Sequence, residues 1–258
     1  ASEGTGGREI IWPRGRILGG SSSINGLIFI RGQKEDYQDW ENLGAANWGY
    51  NQVLPFFRRL EKYSGGESQY RGGLGQLSVS DLRNNDPYCN AWVEAAQEFG
   101  LPLNKDFNSE NSFGVGAYQL SINKRWRSSS ADAFLKPAIR RPNLTVKTHC
   151  HTTKVLFEGN RAIGVEWLEN GKTNQATSTC EIILAAGALQ SPQILQLSGI
   201  GPHKLLEKHN IPIVVDAPEV GQNLQDHQYV ILSTEISQPL SLTSEWRSSL
   251  TSDLQYAL

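Results

Sequence analysis

The chain has 258 residues, with 24 basic side chains against 26 acidic ones and a formal net charge of −2 at pH 7. That balance excludes a basic face for nucleic acid. No apolar run approaches the roughly 20 residues that span a bilayer, which excludes a transmembrane helix. The length suffices for one or two domains with a sizeable core. Methionine is absent, even at position 1, as expected for a piece cut from a longer polypeptide. The expected location is cytoplasmic or peripheral to a membrane.

The first element is the run Trp12-Pro-Arg-Gly-Arg-Ile-Leu-Gly-Gly-Ser-Ser-Ser-Ile-Asn-Gly26, followed by apolar residues 27–30. Adjacent glycines let backbone approach a planar or phosphorylated ligand closely, and successive N–H groups in such a turn suit an anion. It is not a P-loop, because no Gly-Lys-Ser/Thr stands at the required spacing. Residues 33–63 read as two helices. Tyr37, Trp40 and Leu43 recur at helical spacing before Gly44, and Val53, Leu54, Phe57 and Leu60 follow with Pro55 near the start of the second helix. Residues 64–84 are Gly- and Ser-rich, a loop with a short strand at 76–80. Pro87 to Phe99 is helical again, with Trp92, Ala95, Ala96 and Phe99 on one face and Gly100 as its stop.

Residues 153–157 and 162–168 read as strands joined at Glu158-Gly-Asn160, and Glu169-Asn-Gly171 leads to a third; Asn-Gly is a strong hairpin signal. The continuous apolar run from Cys180 to Gly187, opening a helix at 189–197, reads as a buried parallel strand of a doubly wound sheet. Ligands in such sheets lie beyond the strands' carboxyl ends. Backbone at Ala186-Gly187 is therefore a candidate contact for an adenosine or ribose, the alternative being a glycine that serves tight strand-to-helix packing. Residues 211–215 read as one more short strand.

Cys89, Cys150 and Cys180 are odd in number and widely spaced, so they are expected to be small buried side chains, not a disulfide framework. His149 and His151 share one face of a strand while Cys150 points away, which leaves too few ligands for zinc. Asp226-His227 is not expected to act as an acid–base pair; His227 is expected to be structural, and His203 and His209 to face solvent.

Two runs carry a resemblance to a known family. Gly15, Arg16, Gly19-Gly20, Ser21-Ser22, Ile24, Asn25, Phe29 and Gly32 resemble the first signature of the glucose–methanol–choline (GMC) flavoprotein oxidoreductases. Residues 187–201, Gly-Ala-Leu-Gln-Ser-Pro-Gln-Ile-Leu-Gln-Leu-Ser-Gly-Ile-Gly, resemble the second. Asn47-Trp48, residues 141–144 and residues 220–227 add weaker matches, and the likeness is greatest to the choline- and alcohol-dehydrogenase branch. The resemblance implies a mixed α/β fold: part of a Rossmann-like FAD-binding domain with a β-meander, plus part of a substrate-binding domain. Residues 1–32 and 146–227 would belong to the flavin domain, 33–145 to a mostly helical substrate or cap region, and 228–258 to the start of the substrate-binding domain.

The same resemblance implies that FAD is held non-covalently, since Ile24 stands where some relatives have a flavin-linked histidine. The implied contacts are Arg14, Gly15, Gly19, Gly20, Ser21, Asn25, Gly26, Leu27 and Ile28 in the first signature, with Ser21 at the pyrophosphate and Asn25, Gly26 and Ile28 along the isoalloxazine. Thr152 would hold the adenine by its backbone, and Ala186 and Gly187 complete the set. Arg125, Arg127 and residues 128–130 resemble the segment entering the substrate-facing part, with a solvated basic loop as the alternative. The implied reaction is oxidation of a small alcohol to an aldehyde, with oxygen or a quinone-type acceptor taking the electrons. The family's Gly-x-Gly-x-x-Gly fingerprint and its catalytic histidine have no counterpart in these residues. Two alternatives therefore stand: a non-catalytic flavin-binding fragment, and a GMC-like lyase with structural FAD.

Overall fold

The computed structural model describes residues 6–82 and 87–227. These divide into two compact units, the first ending at Leu144 and the second beginning at Thr145. Residues 228–258, expected to begin a substrate-binding domain, lie outside the described residues.

In the first unit, a single 3₁₀ turn at Gly20–Ser23 precedes helix α1 (Lys34–Asn42). Asp36 Oδ2 accepts the Gln33 N–H at 2.6 Å, and Glu35 and Asp36 place negative charge on the helix's positive end. Gly44, at φ 104°, follows the last turn, where a left-handed residue satisfies the terminal carbonyls. Helix α2 (Tyr50–Leu60) holds Pro55 in mid-helix, not near its start as expected. Rings tie the two helices together: Tyr37 is buried, with Trp40 at 5.4 Å and Phe57 at 5.7 Å, both edge-to-face.

Helix α2 runs directly into strand β1 (Glu61–Tyr63), which pairs in parallel with β2 (Leu77–Val79). Helix α3 (Pro87–Glu98) ends at Gly100, φ 104°. Its Trp92 is 67% exposed, and Phe99 beyond its end is exposed too, so the apolar face read from the spacing covers no core of this unit. Strands β3 (Ile122–Asn123) and β4 (Trp126–Arg127) form a tight antiparallel hairpin. A π-helical turn, Ala131–Leu135, then leads into α4 (Lys136–Ala138). Its widened hydrogen bond runs from the Lys136 N–H to the Ala131 carbonyl, and Pro137 has no N–H to continue an α ladder.

The centre of this unit is ionic. Glu61 is fully buried and Arg71 is 2% exposed. Glu61 Oε2 lies 2.6 Å from Arg31 Nη2, Glu61 Oε1 lies 2.6 Å from Arg71 Nη2, and Arg71 Nη1 lies 2.7 Å from Asp106 Oδ1. The Arg71 guanidinium sits 3.9 Å from the Tyr63 ring centroid. Burial lowers the Arg31 pKa, and the Glu61 carboxylate opposes that shift.

In the second unit, β5 (His151–Glu158), β6 (Arg161–Glu169) and β7 (Lys172–Thr177) form an antiparallel meander in that order. The β6–β7 turn is the expected one: Asn170 and Gly171 both have positive φ, 51° and 76°, as a type I′ turn requires. Helix α5 (Gly187–Leu197) packs on β5. Ser198 Oγ accepts the Val155 N–H at 2.8 Å and donates to the Ile194 carbonyl, and Val155, Ile194 and Leu206 are buried. Strand β8 (Ile200–Gly201), helix α6 (His203–Lys208) and strand β9 (Val215–Asp216) follow, with β8 and β9 parallel. Only the last residue of the strand expected at 211–215 is therefore paired.

Two expectations fail here. Residues 181–185 form no strand, and Ile183 is 77% exposed. A buried parallel strand needs hydrogen-bonded neighbours and helices on both faces, and no described strand lies beside this run. The cysteines were expected to be buried, but Cys89 and Cys180 are exposed and Cys150 is half-buried. The local pattern of a small apolar residue does not fix its burial.

Candidate functional site

In the first unit the glycine- and serine-rich run folds back on itself. The Gly20 N–H donates to the Ile17 carbonyl at 2.8 Å, and the Asn25 N–H donates to the Ser21 carbonyl at 2.9 Å. Ser21 Oγ accepts the Gly15 N–H at 3.2 Å. Gly19 and Gly20 take φ values of 91° and 55°, left-handed backbone that favours glycine. A Cβ on Gly15 would run into the Gly20 carbonyl, whereas Gly20 and Gly26 have no atom within 4 Å of where a Cβ would sit. Gly15 thus keeps the turn closed, and Gly20 and Gly26 leave open space against its surface.

Asn25 Oδ1 accepts the Leu27 N–H at 3.1 Å and holds Leu27 at φ 69°, a conformation uncommon for a branched side chain. Beyond it, the Phe29 N–H donates to the Gln119 carbonyl at 2.9 Å and the Ser121 N–H donates to the Leu27 carbonyl at 2.8 Å, which ties the run to the segment before β3. Ile24 and Ile28 are exposed. Arg14 turns to its own neighbours: its Nη1 donates to the Pro13 carbonyl and its guanidinium lies over Trp12.

A second segment braces this turn. Arg127 Nη1 donates to the Ser22 carbonyl at 3.2 Å, the Asn25 carbonyl at 2.8 Å and Asn25 Oδ1 at 2.7 Å. The Ser130 N–H donates to Ser22 Oγ at 2.9 Å, and both hydroxyls donate to the Gly19 carbonyl. Asp132 Oδ2 accepts the Ser129 hydroxyl at 2.5 Å, and Asp132 pairs with Lys136. The Lys136 ammonium, followed by the Ser129 hydroxyl, lowers the Asp132 pKa to about 2. Its folded value lies below the unfolded one, so the contribution of its charge is full above the ordinary carboxylate range and is lost as pH falls from about 4 through about 2. Sequence reading left Arg127 open between a segment entering the substrate-facing part and a solvated basic loop; in the structure its guanidinium bonds to residues 22 and 25.

In the second unit, Thr152 pairs with Trp167 at a register shift in β5. The Ala186 N–H is held by Ser191 Oγ at 3.0 Å. Gly187 opens α5 at φ 87°, and a Cβ there would meet only Gln190 Oε1, at 3.9 Å. The first-turn N–H groups of a helix have no intrahelical partner and carry partial positive charge, so Gly187 leaves open backbone at an electropositive helix end. His203 and His209 are exposed, as expected. The His227 N–H donates to the Asp226 carboxylate at 2.9 Å, a local turn contact.

Two clefts in the first unit left no sign in residue pattern or spacing. One, of about 450 Å³, is lined by Arg31, Gln33, Tyr50, Tyr70, Phe107 and Asn108. The other, of about 430 Å³, is lined by Asp81, Glu94, Lys105 and Gln119.

Residues 2–229 match the GMC oxidoreductase family. The chain is 44% identical over 241 residues to the mitochondrial choline dehydrogenase of Homo sapiens, covering 93% of this chain and 41% of that protein. It is 43% identical over 241 residues to the oxygen-dependent choline dehydrogenase of Brucella anthropi, covering 93% and 44%. Among solved structures, pyridoxine 4-oxidase from Mesorbium loti superposes with a TM-score of 0.78 at 34% identity, over 84% of this chain and 43% of that one. An FAD-dependent oxidoreductase from Chaetomium thermophilum gives a TM-score of 0.79 at 36% identity, over 83% and 39%. The chain spans about two fifths of the length of the curated relatives it matches.

Proposed function

Because the chain belongs to the GMC oxidoreductase family, we propose that it supplies flavin-holding segments of an FAD-dependent enzyme that oxidises a small alcohol to an aldehyde, as in choline dehydrogenase. The observation that carries the reading is the closed turn at residues 15–28, with open space at Gly20 and Gly26. A Cβ at either position would fill the cradle, and a flat, partly anionic group suits it. Arg14, Gly15, Gly19, Gly20 and Ser21 hold the pyrophosphate side, and Asn25, Gly26, Leu27 and Ile28 line the isoalloxazine. Thr152, Ala186 and Gly187 hold the adenosine end, where the start of α5 favours negative charge. Bound FAD supplies the two-electron acceptor for the alcohol's C–H hydrogen, while these residues bind and orient it. Ile24 has no nucleophilic atom, so the cofactor is dissociable. Residues 1–32 and 146–227 serve the flavin, and residues 33–145 serve the substrate side.

No proton-abstracting residue is assigned. All five histidines lie at position 149 or beyond, so the unit carrying the first signature has none. Oxygen or a quinone-type acceptor takes the electrons onward. A visible-absorbance titration with FAD, followed by anaerobic choline, tests the reading. The 258-residue chain is expected to bind FAD weakly without bleaching, and the flavin of a complete enzyme carrying it is expected to bleach. Flavin that binds the complete enzyme and never bleaches with any alcohol favours the lyase reading, and a chain that takes up no flavin contradicts the proposed role.

A further inference from the structure

Arg127 places a single nitrogen where three acceptors converge: two backbone carbonyls and the Asn25 side chain. The geometry points to Arg127 as the positioning residue that makes Asn25 a hydrogen-bond donor to the flavin, an inference that rests on the FAD reading above. The Asn25 atom facing Arg127 also receives the Leu27 N–H. A guanidinium and a backbone N–H are donors only, so that atom is the amide oxygen. Both of its lone pairs are thereby taken up. The remaining Nδ2 carries two N–H groups, has no partner among the described residues, and belongs to an exposed side chain. Asn25 therefore offers a ligand donors and no acceptor. An oxidised isoalloxazine presents ring nitrogens and carbonyl oxygens along its polar edge, the complementary set.

The arginine is itself held in place. It ends the β3–β4 hairpin, and the next residue, Ser128, is buried with its Oγ accepting the Ser78 N–H at 3.1 Å. Its charge offsets the three oxygens gathered around it, which would otherwise repel one another and open the turn. Three donor contacts from one fixed cation thus set the orientation of a single amide.

FAD titrations of the 258-residue chain, read by absorbance and fluorescence beside thermal melts, test this. Asn25→Asp keeps the acceptor facing Arg127 and removes the outward donors. It is expected to melt no lower than the original chain yet bind FAD roughly tenfold or more weakly, since a lost hydrogen bond leaves its partner unsatisfied. Arg127→Met is expected to weaken FAD binding roughly ten- to hundredfold, and Arg127→Lys to recover most of that loss. In an Asn25→Ala background, Arg127→Met is expected to change FAD binding less than about twofold, because the two act as one unit. A merely structural arginine would instead lower the melting temperature and multiply the loss in the double variant. The inference is overturned if Asn25→Asp binds FAD like the original chain, or if the two losses multiply. An original chain that takes up no FAD overturns the flavin reading and this inference with it.

Discussion

Replacing Glu61 with alanine is expected to destabilise the first unit by about 3–5 kcal/mol, the largest stability effect of any single substitution proposed for this chain. Glu61 is fully buried and faces Arg31 and Arg71 at 2.6 Å each. Its Oε2 also accepts the Gly72 N–H at 3.1 Å. Removing it leaves two guanidinium groups buried side by side, with Asp106 alone to balance them. An uncompensated buried charge costs far more than the intact cluster contributes. Among the described residues, Arg31 Nε and Arg71 Nε are buried without hydrogen-bond partners already, so loss of Glu61 adds to groups that are under-satisfied. Thermal unfolding followed by far-UV circular dichroism should show the midpoint falling by roughly 10 °C. Glu61→Gln keeps one acceptor for Gly72 and Arg31 but loses the charge and turns an amide N–H toward Arg71, so it should also lower the midpoint, somewhat less than alanine. A midpoint unchanged in both variants would mean that the ion cluster does not hold the unit together.

The second large effect is expected at the turn. In Gly15→Ala the new methyl meets the Gly20 carbonyl, its carbon and the Ser21 nitrogen, all backbone atoms, so relief requires the turn to open. FAD binding should weaken by roughly a hundredfold or more, the range seen when a ligand-positioning backbone shifts by about an ångström. Gly20→Ala separates geometry from space. Its methyl meets nothing within 4 Å, and a left-handed alanine costs only about 1–2 kcal/mol. The fold should therefore survive while the methyl occupies the space proposed for the cofactor. Isothermal titration with FAD decides between the outcomes: a Gly20→Ala chain that binds as tightly as the original places the cofactor elsewhere.

Local signals were legible where a short stretch determines its own conformation. Gly44 and Gly100 end helices, and Asn170-Gly171 makes the β6–β7 hairpin turn with both residues at positive φ. Helical spacing located α1, α2 and α3, although Pro55 proved to be interior. Features that need distant partners were hidden. The ion cluster of Glu61, Arg31, Arg71 and Asp106 left no signal, because nothing in spacing shows that residues 30 and 35 positions apart meet. The bond from Arg127 to Asn25 spans 102 positions. The run before Gly187 failed as a strand for the same reason, since a parallel strand is defined by its neighbours more than by its own residues. At the candidate site, the glycines and Asn25 were legible as a turn that admits a ligand. Arg127 and residues 128–130 were legible only as a segment resembling the entry to the substrate side, with a solvated loop as the alternative; that Arg127 and Ser130 brace this turn was hidden, because their partners lie more than 100 positions away.

The central claim is that one FAD molecule engages both signatures, residues 15–28 and residues 186–190. Backbone hydrogen–deuterium exchange with and without saturating FAD tests it most directly, because bound nucleotide slows exchange wherever it covers N–H groups or rigidifies a turn. Slower exchange in both segments is the result this account predicts. Slowing in only one of them, or in neither while flavin remains bound, would contradict it.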